Sequence, residues 1–327
     1  MPVVCISHKE DVDGICSAAI INTAFDVSDI ILVDYANLIT KLEKIISDSN
    51  KIEGLFICDL GLSKKNELKF IELLGKAAAT NIDVTYIDHH DISKEAVQAL
   101  KKANVVLVHT TDECTSIQAY NKYKKKLPEH SAFLAAMGAL TDYMETKPIA
   151  SNIVTRFDRQ FLMLEATALS YMISANQHND EFLVKIVETL TKTKYPHDIR
   201  NGFEIAEKYA KKVAKAVESI QDSIVKLDNI AYAPSGIELS SSMVVNFVLG
   251  SSGKQAAMVY KLKDDIKSYV ASIRGSGECK VHLGRLVNEI ASSLGGSGGG
   301  HDRACGAVIP EDKLQDFITE LDAKLSE

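Results

Sequence analysis

Five apolar runs of strand length recur through the first third of the chain: VVCIS at residues 3–7, DIILVDY at 29–35, GLFICDL at 54–60, VTYIDHH at 84–90 and VVLVHT at 105–110. Helix-like stretches lie between them, at 14–25, 38–47, 65–76 and 94–101. This alternation constrains the fold more than any other feature. Strands joined by helices at this spacing form βαβ units, and the strands read as continuous apolar runs because a parallel sheet is buried on both faces. Residues 115–190 then turn mostly helical. The segment AFLAAMGAL at 132–140 is apolar all round, which marks a buried helix.

Pro196 breaks the helical pattern within 191–197, and residues 204–220 read as a charged amphipathic connector. From about residue 226 the texture changes. A short strand is expected at 230–233, and the runs 256–262 and 268–274 flank KDDIK as a hairpin. A helix at 281–294 leads into GGSGGGH at 295–301, then a strand at 304–310 and a closing helix at 312–326. A chain of 327 residues has room for two cores. The expected fold is α/β: a parallel-sheet N-terminal domain with a helical part at 1–190, a linker helix at 191–225, and a smaller α/β C-terminal domain at 226–327.

Composition removes several classes. Charged residues at 25% and hydrophobic ones at 46% are ordinary for a globular protein, so a disordered or collagen-like chain is excluded. No apolar run reaches the roughly 18 residues of a membrane span, and MPVVCISH has no basic region of a signal peptide. Six scattered cysteines without a CxxC pair argue against a disulfide framework or structural zinc, and a reducing, cytoplasmic location is expected. The net charge of −7 lies in residues 1–190, with 19 Lys+Arg against 26 Asp+Glu; residues 191–327 hold 18 of each. An acidic first half disfavours a broad duplex-DNA surface and suits carboxylates that await metal ions.

Acidic and histidine residues stand at the carboxyl ends of successive strands. After the first come His8, Asp11 and Asp13; after the third, Asp59; after the fourth, Asp88, His89 and His90; and a later helix ends at Asp142. Ligands of open parallel sheets bind outside the carboxyl ends of the strands, so these clusters are expected to converge. Taken singly, Asp13-Gly14 is a helix start and Asp59 a cap; the ordered set of four at strand ends points to a site. Carboxylates and imidazoles suit Mn²⁺, Mg²⁺ or Fe²⁺ without thiolates. Asp11, Asp13, Asp59, Asp88 and Asp142 would repel one another strongly without cations. Asp11 and Asp13 could serve different ions, with Asp59 between them. Two ions about 3.5–4 Å apart can activate a bridging hydroxide and clamp both oxygens of an in-line phosphoryl displacement.

HKEDVDG, CDLG, DHH and LTD, in that order, resemble the four motifs of the DHH phosphoesterases, and ASIRGSG with GGSGGGHDRACG resembles the signatures of the accessory DHHA1 domain. The resemblance runs from His8 to Gly306. That family holds RecJ-type single-strand exonucleases, nanoRNases acting on short oligonucleotides, phosphoadenosine-phosphate phosphatases and cyclic-dinucleotide phosphodiesterases. The resemblance implies a cofactor of two Mn²⁺ ions, with Mg²⁺ as the alternative. His8, Asp11 and Asp59 would hold one, and Asp13, Asp59, His89 and Asp142 the other. Glu10 is an outside substitute for His8. His90 would stand near the scissile phosphate, and Asp88 would orient an imidazole.

In the second domain, the resemblance implies that Arg274, Gly299, Gly300, His301 and Arg303 bind the nucleotide end of the substrate. Successive glycines let backbone N–H groups approach an anion, and an Arg fork suits phosphate. Arg274 shares a strand face with Ser272 and Val270 by period two. Aromatics are 6% with no Trp, so a long base-stacking platform is not evident and short substrates are favoured. The expected activity is therefore a metal-dependent phosphodiesterase of the nanoRNase type that releases nucleoside monophosphates from short single-stranded RNA, DNA or dinucleotides. No membrane partner is expected, and a homodimer is compatible with the reading. The alternatives are a cyclic-dinucleotide phosphodiesterase, a phosphoadenosine-phosphate phosphatase, a RecJ-type exonuclease, or an inactive nucleotide-sensing scaffold.

Overall fold

A computed structural model describes residues 2–47, 52–62, 64–235, 241–300 and 302–326; His301, one of the expected substrate contacts, lies outside the described residues. The chain divides into two compact units, Met1–Tyr209 and Ala210–Glu327. In the first, β1 (Val3–His8), β2 (Asp29–Val33), β3 (Gly54–Cys58), β4 (Asp83–Asp88) and β5 (Val106–His109) form a parallel sheet in the order β2-β1-β3-β4-β5. Helices α1 (Val12–Phe25), α2 (Leu38–Ser47), α3 (Lys64–Ala79) and α4 (Lys94–Lys102) make the crossovers.

The apolar runs are continuous because alternate residues serve two cores. On β3, Leu55 and Ile57 join Phe70, Leu74, Tyr86 and Leu100 in one core. Phe56 and Cys58, pointing the other way, join α1 and the helical part in a second. That helical part is α5 (Thr115–Tyr123), α6 (His130–Thr141), α7 (Pro148–Val154), α8 (Arg159–Ala175) and α9 (Asp180–Thr191). Helix α6 is buried from Ser131 to Ala139, as its all-round apolarity requires. The strand order reverses at β1, which feeds β2 on one side and neighbours β3 on the other. The crevice outside the carboxyl ends of β1 and β3 is therefore the switch point of a doubly wound sheet, where ligands bind.

The dividing point of the two units lies inside α10 (Gly202–Gln221). The second unit is a mixed sheet of order β10-β11-β9-β8-β7-β6, built from β6 (Val225–Lys226), β7 (Ile230–Pro234), β8 (Ala256–Lys263), β9 (Ser268–Gly275), β10 (Ser297–Gly300) and β11 (Ala304–Pro310). β8 and β9 are the expected hairpin, while β7 joins β8 in parallel. Helices α12 (Leu283–Ser293) and α13 (Leu314–Lys324) pack on it, and α11 (Ser241–Ser252) and the short β6 have no counterpart in the sequence expectation.

The glycine-rich run carries a strand that the sequence did not signal: residues 297–300 form the edge strand β10, antiparallel to β11. Gly298 and Gly300 are there because of crowding. A Cβ on Gly298 would lie 2.9 Å from Val287 of α12, and one on Gly300 would lie 2.5 Å from the Ala304 carbonyl oxygen. Gly300 also holds φ 139°, which only glycine adopts without strain. All six cysteines are buried and free. No helix of the described residues is long and apolar enough to cross a membrane.

Candidate metal centre

The ligand candidates are delivered by the ends of β1, α1, β3, β4 and α6. Asp11 caps α1, its Oδ1 accepting from Gly14 N at 2.9 Å. Gly14 is needed because a Cβ there would lie 2.4 Å from the His8 carbonyl oxygen. His8, at the end of β1, has Nε2 3.4 Å from Asp11 Oδ2 and 4.0 Å from Glu10 Oε2. Asp13, in the first turn of α1, is fully buried and its carboxylate sits on the N-terminus of α5. It accepts from Thr115 N at 2.8 Å, Ser116 N at 3.0 Å and Ser116 Oγ at 2.5 Å. Free N–H groups and the positive end of the helix dipole favour a carboxylate at that place.

Asp59 follows β3 with φ 59°, in the left-handed region. That conformation costs an L-residue roughly 1–2 kcal/mol and is held here by neighbours. Its N–H donates to the Ile87 carbonyl at 3.0 Å, and its Oδ1 accepts from Thr115 Oγ1 at 3.0 Å. His89 Nε2 lies 3.5 Å from Asp59 Oδ1 and 3.4 Å from Asp142 Oδ2. Asp142 ends α6. Donor atoms of Asp59, His89 and His90 lie within 4.8 Å of one another, as do those of Asp13, Cys114 and Asp142. Asp13, Asp59, His89, His90 and Asp142 thus come together at the carboxyl edge of the sheet.

Asp88 does not join the cluster of donor atoms and instead holds His90. Its Oδ1 is 2.9 Å from His90 Nδ1, and its Oδ2 accepts from His90 N and the Tyr86 hydroxyl. Since a carboxylate only accepts, Nδ1 of His90 carries the hydrogen. Gln118 Nε2 donates to the carbonyls of Asp88, Thr110 and Glu113, and His109 Nε2 donates to the His90 carbonyl at 2.7 Å. Gly61 leaves room for the imidazole; a Cβ there would lie 2.6 Å from the His90 ring.

Electrostatics report a deficit of cations. Burial, then the negative charges of Asp13, Asp11 and Asp59, raises the Asp142 carboxyl well above the usual range. Burial and Asp59 raise Asp11 as well, against the counter-pull of His8. Burial disfavours the charged form of His90, but the hydrogen bond and charge of Asp88 prevail and lift it to about 9. Burial likewise opposes ionisation of Asp88, and the bond to His90 overcomes it, lowering that carboxyl. His89 is raised, burial being outweighed by its hydrogen bond to Asp59 and by Asp13. His8 Nδ1 is buried with no hydrogen-bond partner among the described residues. Oxygen and imidazole donors, mutual repulsion and an orphaned nitrogen together fit divalent ions of the Mn²⁺ or Mg²⁺ type.

Sequence reasoning misses the residues that hold the ligands. Thr115 and Ser116 carry a weak signal, two hydroxyl residues opening a helix. Tyr35, two residues past β2, follows the same strand-end logic as the ligands but is neither acidic nor imidazole. His109 matches no motif, yet it tethers the DHH segment. Cys114 carries no signal; burial raises its thiol, which faces Ser116.

In the second unit, Arg274 of β9 pairs in register with Ala304 and Ala257 and shares its half-exposed face with Ser272 and Val270, while Ala271 and Ile273 are buried. Its Nη1 donates to the Ile273 carbonyl at 3.0 Å. Arg303 is exposed, and its carbonyl accepts from Gly275 N.

Comparison with known proteins agrees with this architecture. Residues 2–141 match the DHH family, N-terminal domain, and residues 231–327 match the DHHA1 domain. Two uncharacterized proteins of Methanocaldococcus jannaschii are related in sequence. MJ0831 is 28% identical over 55% of this chain and 39% of its own length, and MJ0988 is 24% identical over 65% and 62%. The chain thus spans less than two thirds of either relative. The pGpG-specific phosphodiesterase PggH from Vibrio cholerae shares the fold with a TM-score of 0.60 and 13% identity, over 99% of each chain. RecJ from Thermus thermophilus in complex with Mn²⁺ superposes with a TM-score of 0.62 and 14% identity, over 99% of this chain and 52% of RecJ. At such identities the likeness is one of fold.

Proposed function

We propose that this chain, which belongs to the DHH family and carries a DHHA1 domain, hydrolyses phosphodiester bonds of short single-stranded oligonucleotides or dinucleotides to nucleoside monophosphates. The observation that carries the reading is the convergence of Asp59, His89 and Asp142, with Asp13 beside them, from four separate elements. His8, Asp11 and Asp59 would hold one divalent ion, and Asp13, Asp59, His89 and Asp142 a second. Bound there, such a pair supplies a polarised water nucleophile and neutralises charge on the phosphoryl oxygens.

The chain's own residues do the rest. Thr115 and Ser116 aim the carboxylates of Asp59 and Asp13. Asp88 fixes the His90 ring near the scissile phosphate, with Nε2 turned away from Asp88 and toward the Tyr35 hydroxyl. Arg274, Gly299, Gly300, His301 and Arg303 bind the nucleotide portion. A short substrate is supported by the neutral charge balance of residues 191–327 and by the absence of Trp. A long strand wants a basic, stacking groove. PggH acts on pGpG, a dinucleotide, which is within the substrate range proposed here.

The test is a panel of labelled RNA and DNA of rising length, cyclic dinucleotides and phosphoadenosine phosphate, each assayed with Mn²⁺ and Mg²⁺. The highest kcat/KM is expected on the shortest linear substrates. A steady rise beyond about ten nucleotides would shift the reading to a RecJ-type exonuclease. Bound ions with no turnover of any phosphodiester would leave a nucleotide-sensing scaffold.

A further inference from the structure

Tyr35 stands two residues past β2, outside every motif that carries the metal centre. Its ring packs against His8 with centroids 4.7 Å apart. Its hydroxyl lies 3.3 Å from His90 Nε2, and its ring meets the His90 ring edge-on at 6.3 Å. The residue is nevertheless 41% exposed. It therefore touches two imidazoles of the site while one side faces outward. A tyrosine placed only to pack against His8 would have no need of its hydroxyl.

Asp88 Oδ1 accepts from His90 Nδ1, and the remaining ring nitrogen, Nε2, is the one that faces the phenol. A hydroxyl both donates and accepts, so the phenol can turn its hydrogen to an incoming anion while its ring stays against His8. Asp88, His90 and Tyr35 stand in one row whose outer member is a half-exposed O–H. We infer that Tyr35 is a catalytic residue of this site, its hydroxyl donating a hydrogen bond to an oxygen of the scissile phosphate. The inference rests on the phosphodiesterase reading above and adds a contact at the reacting group that the ligand motifs do not contain. The hydroxyl keeps its hydrogen throughout; it stabilises charge on the phosphoryl oxygens and transfers no proton.

The experiment compares Tyr35→Phe with Tyr35→Leu in the full chain. Tyr35→Phe keeps the ring against His8 and removes only the donor. It should lower kcat roughly 10- to 150-fold, the range of a hydrogen bond to a charged group, on both a dinucleotide and bis-p-nitrophenyl phosphate. Its Mn²⁺ affinity by calorimetry and its Tm should match wild type. Tyr35→Leu should add a loss of Mn²⁺ affinity through His8. If Tyr35→Phe turns over like wild type while Tyr35→Leu loses metal, the ring is a packing element and the inference fails, with the phosphodiesterase reading intact. If Tyr35→Phe loses metal in proportion to activity, the hydroxyl acts on the ligands and the inference fails too. A wild-type protein inactive on every phosphodiester would defeat the underlying reading instead.

Discussion

The hydroxyl of Thr115 donates to Asp59 Oδ1 at 3.0 Å across 56 positions of sequence. One residue at the start of α5 thus steadies both buried carboxylates, Asp59 through its side chain and Asp13 through its N–H. Replacing it with valine keeps the shape and deletes the donor. Thr115→Val should weaken Mn²⁺ binding about 10- to 100-fold, as loss of a ligand-orienting partner does. Calorimetry on the folded variant checks this. Unchanged affinity would mean that Asp59 needs no such support.

Stability of the metal-free protein should depend on pH in a stated direction. The carboxyls of Asp11 and Asp142 are raised by burial and by neighbouring carboxylates. Each therefore contributes stability that is complete below the ordinary carboxylate value and is lost as pH rises through the raised one. With EDTA, Tm should fall between mildly acidic and neutral pH. With saturating Mn²⁺ the fall should shrink or reverse, because ligands must be deprotonated to bind. Identical profiles with and without metal would contradict the assignment of these two residues.

The Asp88–His90 pair gives a second pH signature. His90 is lifted to about 9. Its contribution to stability is present below the ordinary histidine range and disappears as pH rises through that value. Asp88→Asn should bring the His90 titration down, which NMR of the ring protons can follow. A His90 titration unmoved by the substitution would show that Asp88 is not what raises the ring.

Two adjacent glycines should respond differently to alanine. A Cβ on Gly300 would lie 2.5 Å from the Ala304 carbonyl oxygen and 2.7 Å from Cys305 Cα, at φ 139°. Gly299, at φ 157°, would meet only Asn288 Nδ2 at 4.0 Å. Gly300→Ala should cost about 2–4 kcal/mol, overpacking added to backbone strain, and Gly299→Ala should cost less than half of that. Urea unfolding of both variants decides it, and equal costs would place the strain in the backbone alone.

Arg274 should act on substrate and leave the metals alone. Arg274→Ala is expected to raise KM for a dinucleotide roughly 10- to 150-fold. Bis-p-nitrophenyl phosphate, which offers no second nucleotide, should be spared, and metal content should stay at the wild-type level. Equal losses on both substrates would remove Arg274 from nucleotide binding.

Much of this is legible in the sequence because of how parallel sheets are built. Strands covered on both faces must be apolar at every position, so β1, β3 and β4 appear as unbroken runs. The ligand types then stand out at their ends, at Asp59 and at His89. The same logic fails where the chemistry is carried by ordinary residues. Thr115 and Ser116 look like any helix start, and their value lies in a carboxylate a hundred residues away. The strand at 297–300 carries no sequence signal because glycine has no strand preference. Beside α12 and β11 there is no space for a side chain at Gly298 or Gly300. Helix α11 escapes a sequence reading because small and apolar residues mix along it without a clear face.

The segment that joins β5 to α5 looks like a surface connection, yet it is bound at nearly every step. His109 holds the His90 carbonyl, Gln118 gathers the carbonyls of Asp88, Thr110 and Glu113, and the Glu113 carboxylate receives Ile149 N and Ala150 N at the start of α7. Loops commonly absorb length changes, and this one should not. Its residue count works as a gauge, setting how far α5 stands from the sheet and so where Asp13 and Asp59 meet. One residue gained or lost between His109 and Thr115 would detune the site without touching a ligand. Among homologues that keep the chemistry, this stretch should vary in composition far more freely than in length.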